Sequence, residues 1–178
     1  MTLYSEGLRR VAGGCAGALV LLVVVFGTGC AETAPDKGAA YVPDQVRALT
    51  FRSGACYGTC PVFEYRIDRD GVAVFDGEKF TAVEGERDAP GDRETFQRIL
   101  ATLAPVRPQE GDLTIDREVC RRIATDMITY TVVWDTDTGD QRLSYNTGCA
   151  DARFQDVKTA LAEVRAMLPV GELVGKGR

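Results

Sequence analysis

The chain is 178 residues long, enough for one ordinary domain with its own core plus a tether. Its formal charge is −5 with no polybasic run, which argues against general nucleic-acid binding, since that needs basic patches to neutralise phosphates. It contains no histidine, so any enzymatic reading must use carboxylates, thiols, hydroxyls, lysine or arginine, without imidazole nucleophile activation, imidazole metal ligands or a pH switch near neutrality.

The N-terminus has the layout of a bacterial export signal. Arg9 and Arg10 precede an apolar run over residues 16–26, and the small residues Gly27, Thr28 and Gly29 lead to Cys30. We read residues 1–29 as a signal peptide and Cys30 as the lipidation site that would anchor the chain to a membrane. Gly27 stands where such signals usually carry leucine. Two other readings remain: an uncleaved anchor, because residues 11–29 are uncharged and nearly long enough to span a bilayer, or ordinary cleavage without lipid. All three place the domain on the periplasmic side of the cell envelope. Ala31, rather than aspartate, follows Cys30, which favours the outer over the inner membrane. Residues 30–44 combine the lipidated cysteine with a flexible tether rich in Ala, Gly and Pro.

The domain is expected over residues 45–174, with a short tail at 175–178. Residues 48–52 form a first strand. Residues 62–69 alternate, with Phe63, Tyr65 and Ile67 on one face and Glu64, Arg66 and Asp68 on the other. Asp70-Gly71 and Asp76-Gly77 are two-residue turn signals, which divide residues 62–83 into a three-stranded meander with strands at 72–75 and 78–83. Residues 84–92 read as a polar loop. Asp92 caps a helix whose apolar stripe is Phe96, Ile99, Leu100 and Leu103, and Pro105 stops it. Residues 108–117 read as loop, and residues 128–135 and 142–146 as a hairpin turning at 137–140. Asp151 caps a last helix with the stripe Phe154, Val157, Leu161, Val164 and Leu168, ended by Pro169. The expected fold is α+β and two-layer, an antiparallel sheet of about six strands with two helices on one face.

The exported part holds four cysteines, Cys56, Cys60, Cys120 and Cys149. An even number in an exported domain indicates disulfides, and four cysteines allow three pairings. The segment 56–61 has the pattern CxGxCP, followed by an alternating strand and the dipeptide Asp70-Gly71. Together with residues 77–85 (GEKFTAVEG), Thr125-Asp126-Met127, residues 145–149 and Leu168-Pro169-Val170, it resembles a family of bacterial envelope proteins catalogued only as a domain of unknown function. The resemblance covers most of residues 48–175. It implies a fold and an envelope setting but no activity. Its motif holds Cys56 and Cys60 as a unit, which implies the bridges Cys56–Cys60 and Cys120–Cys149.

Cys56 and Cys60 also raise thiol–disulfide exchange. Redox dithiols mostly have two intervening residues and start a helix whose dipole stabilises a thiolate, whereas here three intervene and Pro61 leads into a strand. The cysteine spacing suits no zinc site, so neither metal nor cofactor is expected. Two carboxylate groups, Glu84, Glu86 and Asp88, and Asp112, Asp116 and Glu118, raise glycosidic acid/base chemistry but read first as solvated loops. Residues 135–140 faintly resemble a calcium loop, but Asn146 stands where a bidentate carboxylate is required. Tyr57, Tyr65, Tyr130, Trp134 and Tyr145 read mainly as core packing, an exposed subset being a conceivable ligand platform.

The leading expectation is therefore an envelope lipoprotein with a non-catalytic extracytoplasmic binding or structural domain and no assigned catalytic residue. Its partners would be the membrane, through Cys30, and an envelope protein or glycan, not nucleic acid. The alternatives are a thiol–disulfide protein using Cys56 and Cys60 and, behind it, a carboxylate hydrolase. Metabolic labelling with a tagged fatty acid should mark the wild-type chain and not Cys30→Ala; equal labelling of both would refute lipidation there.

Overall fold

A computed structural model describes residues 46–175. The expected signal segment 1–29, Cys30 with its tether to residue 44, and residues 176–178 lie outside the described residues. In chain order the elements are β1 (Val46–Ser53), β2 (Val62–Asp68), β3 (Ala73–Lys79), β4 (Gly85–Ala89), α1 (Arg93–Leu103), β5 (Asp112–Ile115), β6 (Thr129–Thr136), β7 (Gln141–Asn146), α2 (Gln155–Met167) and α3 (Gly171–Val174).

The strands form one sheet in the order β4-β3-β2-β1-β6-β7-β5. Every neighbouring pair is antiparallel except β5 with β7, which is parallel. Alternation gives the sheet two unlike faces. Leu49, Phe51, Phe63, Tyr65, Ile67, Phe75, Val132, Trp134, Leu143 and Tyr145 are buried on one, in a single cluster with Phe96, Ile99, Leu100 and Leu103 of α1 and Leu161 and Val164 of α2. The other face carries ion pairs. Arg47 meets Asp135 at 2.6 Å, Arg66 meets Asp135 at 3.4 Å, and Arg52 binds the Glu78 carboxylate. A register shift between Val46 and Ala48 lets both Val46 and Leu49 point inward, while Arg47 points out to Asp135.

Trp134 lies fully buried, and its indole Nε1–H has no partner among the described residues. A buried aromatic of 150–250 Å² contributes about 4–6 kcal/mol at ~25 cal/mol/Å², more than the roughly 1–3 kcal/mol an unmet donor costs. Volume wins at this position.

Among the described residues the sheet has seven strands, not about six, is not wholly antiparallel, and three helices accompany it. Both unexpected strands are edges. Residues of β4 (GERDA) are almost all exposed, and of β5 (DLTI) only Ile115 is buried, so neither shows the alternation of a half-buried strand. The expected turn at Asp76-Gly77 and strand at 78–83 are also corrected. β3 runs unbroken to Lys79 and the chain turns over residues 80–84. Gly77 serves close approach instead: a Cβ there would lie 2.0 Å from the Val83 carbonyl oxygen, beside the register shift at Val62 and Phe63.

The helix signals act as expected, with two adjustments. The Thr95 amide donates to the Asp92 carboxylate at 2.6 Å, which caps α1 and holds that carboxyl below its ordinary range. Asp151 caps a 3-10 turn over Ala152–Phe154, and α2 begins only after it. Beyond Pro169 the chain forms the one-turn α3, and the amides of Ala82 and Val83 donate to the carbonyls of Val174 and Leu173, both at 3.1 Å.

Two cysteine pairs stand at disulfide distance, Cys56 with Cys60 (Cα separation 5.7 Å) and Cys120 with Cys149 (5.9 Å). The second is buried and continues a small ladder. Ala124 N–H donates to the Gly148 carbonyl at 2.9 Å, and Ala150 N–H to the Arg122 carbonyl at 2.8 Å. Non-reducing peptide mapping should recover both pairs, and a peptide joining Cys56 to Cys149 would contradict them. Chain entropy assigns ~3.5 kcal/mol to the longer closure and ~2 kcal/mol to the shorter. Replacing Cys120 and Cys149 together by alanine should therefore lower thermal stability more than replacing Cys56 and Cys60. A mild thiol reductant should open the half-buried Cys56–Cys60 pair first.

The Tyr65 hydroxyl donates to the Pro90 carbonyl at 2.9 Å. Burial, aided by the charge of Asp92, pushes its pKa up to about 12. The folded value exceeds the unfolded one of about 10, so the neutral phenol's contribution is complete below about pH 10 and is lost as pH rises toward 12. That loss is roughly 2–3 kcal/mol. Tyr65→Phe should flatten the fall of melting temperature across this window; an unchanged slope would refute the assignment.

Candidate functional site

Strand pairing decides which loops meet. Ser53 pairs with both Phe63 and Tyr130, Gly77 with Gly85, Thr129 with Asn146, and Ile115 with Tyr145. The connections 54–61, 80–84, 116–128 and 147–154 therefore gather at one end of the sheet. The other end carries the tight β2–β3 and β6–β7 turns.

Exposed apolar side chains concentrate at the loop end. Tyr57 is 89% exposed, Phe80 54%, Met127 45% and Val119 41%. The two non-glycine residues with positive φ among those described, Phe80 (56°) and Asp126 (64°), lie there too. Such conformations cost about 1–3 kcal/mol each and collect at functional segments. The Tyr57 amide donates to the Asp126 carbonyl at 3.0 Å, joining the Cys56–Cys60 loop to the loop before β6. Gly148 allows a further close approach, since a Cβ there would lie 2.3 Å from the Ala124 carbonyl oxygen. Next to this junction is an open cleft of about 200 Å³, lined by Asp116, Arg117, Glu118, Ile123, Ala124, Thr125, Asp126 and Asn146.

Of the segments that carried the family resemblance, three meet in space, while Asp70-Gly71 lies in the β2–β3 turn at the opposite end of the sheet. Residues 56–61, Thr125-Asp126-Met127 and residues 145–149 meet around Asp126 and Gly148. Residues 77–85 meet the C-terminal segment through Ala82, Val83, Leu173 and Val174.

Other sequence candidates separate. Cys56 and Cys60 lead into the strand β2, so neither opens a helix whose dipole would stabilise its thiolate. Glu86 and Asp88 lie on edge strand β4 with Glu84 just before it, whereas Asp112 lies on the opposite edge strand β5 with Asp116 and Glu118 just after it. Six inter-strand steps of about 4.8 Å put those edges roughly 29 Å apart, against the ~5–9.5 Å of a glycosidic carboxylate pair. The two groups do not act together. Asp135 and Asp137 are held by Arg47 at a hairpin. Among the described residues no group of three or more His, Cys, Asp or Glu side chains is placed to hold a metal ion. Tyr65, Trp134 and Tyr145 are core, and Tyr130 packs on Phe51 with ring centres 5.2 Å apart, which leaves Tyr57 as the exposed aromatic of the expected set. Phe80, Val119 and Met127 were not legible as surface residues: Phe80 was read into a strand that the structure replaces by a turn, and the stretches of Val119 and Met127 have no period to assign a face.

No curated protein and no solved structure matches the chain. One family does, over residues 47–168, from β1 to the residue after α2. That match spans both cysteine pairs and the whole loop junction, and the chain belongs to the family described as Domain of unknown function (DUF6438).

Proposed function

We propose that the chain is a bacterial envelope lipoprotein, anchored through Cys30 and the tether to residue 44. Its domain is a non-catalytic interaction module that engages an envelope protein or glycan through the loop end of its sheet. One observation carries this reading: Tyr57, almost fully exposed, is presented on a short cysteine-closed loop whose backbone is bonded to the neighbouring Asp126 loop. An exposed aromatic on a constrained loop loses little entropy when it is covered, which suits it to recognition. The export-signal layout supports the address, and the acidic, histidine-free composition supports a binding role away from nucleic acid. No helix among the described residues is long and apolar enough to cross a membrane, and the reading places the anchor at Cys30.

A photo-crosslinking residue at position 57 should trap a discrete envelope component in cells. The same residue at position 72, 65% exposed at the opposite end of the sheet, should not. Equal trapping from both positions would refute the loop end as the contact surface. Disulfide-exchange turnover by the full chain, lost in Cys56→Ser, would replace this reading with the redox one.

A further inference from the structure

We infer that the cleft beside Asp126 is a subsite for one neutral pyranose ring of a glycan, an inference that rests on the binding-module reading. Its polar lining is uncommitted and of both kinds. Among the described residues the side chains of Arg117, Glu118, Thr125 and Asp126 have no hydrogen-bond or ion-pair partner. The Asn146 side chain uses its oxygen to accept from Gly148 N–H at 2.9 Å, which leaves its amide N–H groups to donate. Carboxylates that only accept, a guanidinium that only donates, and a hydroxyl that does both thus surround one space. Ring hydroxyls, each both donor and acceptor, are the ligand groups that such a set satisfies.

Size and charge narrow the ligand. At about 200 Å³ the cleft is smaller than the roughly 300–1,000 Å³ of whole small-molecule sites, so it suits one unit of a longer chain. Carboxylates outnumber the single guanidinium in the lining, which disfavours phosphorylated or uronic units and favours neutral or N-acetylated ones. Ile123 and Ala124 supply apolar surface for ring C–H groups, and Tyr57, bonded through its amide to Asp126, supplies an exposed aromatic for the next unit. The walls are already fixed. The buried Cys120–Cys149 pair and the Ala124–Gly148 hydrogen bond hold the loop on one side and the Tyr57–Asp126 bond on the other, so little ordering entropy opposes binding.

The test is calorimetric titration of the full chain in detergent with an N-acetylglucosamine tetrasaccharide, and separately with spermine. Saccharide binding should be nearly independent of salt. Asp126→Asn should weaken it tenfold or more, and Tyr57→Ala about fivefold or more, with melting temperatures unchanged. Asparagine tolerates the positive φ at position 126, and Tyr57 is solvent-exposed, so both variants are expected to fold. Spermine binding without saccharide binding would reduce the cleft to counter-ion attraction and overturn the inference. So would saccharide affinity indifferent to both substitutions. If no saccharide binds while position 57 still crosslinks a discrete envelope component, the saccharide inference fails and the binding module stands. If both signals are missing, both fail.

Discussion

The antiparallel pairing of β1 with β6 is the joint on which the domain depends. It brings residues 46–53 against residues 130–136 and unites the β2–β4 meander with the β6, β7 and β5 group into one sheet. Leu49 faces Trp134 across this pair and Phe51 faces Val132, so the centre of the core is made from segments far apart in sequence. A slip of one residue would turn Leu49 and Phe51 outward and put Thr50 and Arg52 under the helices. The Arg47–Asp135 ion pair on the outer face accompanies the correct register but, being exposed, contributes little beside the apolar side chains.

The same pairing assembles the loop end. Tyr57 follows β1 and Asp126 precedes β6, and the hydrogen bond between them continues what the ladder starts, after Gly54 N–H has donated to the Thr129 carbonyl at 2.9 Å. The loop junction is therefore not an appendage that could be moved alone. Its geometry follows from core packing within a few residues of it. The buried Cys120–Cys149 pair secures the far side, where the longest connection is otherwise restrained by hydrogen bonds and the packing of Ile123 on the core.

Local signals accounted for much of the architecture. Alternation over Phe63, Tyr65 and Ile67 and over Tyr130, Val132 and Trp134 marked true strands, and Asp92 with its apolar stripe marked α1. These features are legible because each residue's environment repeats with the period of its element. β4 and β5 were not, because an edge strand is held by backbone hydrogen bonds and needs no buried side-chain face. Gly77 misled because glycine serves both positive φ and close approach, and composition does not separate the two. The exposure of Tyr57 and its meeting with Asp126 depend on a pairing across more than half the described chain, which no local pattern encodes.

The hydrogen bonds from Ala82 and Val83 to Leu173 and Val174 set the order in which the domain can be completed. These acceptors lie among the last described residues, beyond the end of the family match, and the side chains of Val174 and the nearby Val170 are buried. A chain made N-terminus first forms its meander early but holds it uncapped until residues 171–174 have been made. The β1–β6 joint likewise waits for residue 136. The fold is thus closed only once residues 173 and 174 are in place, so the meander and the helical layer share one condition for completion that neither meets alone.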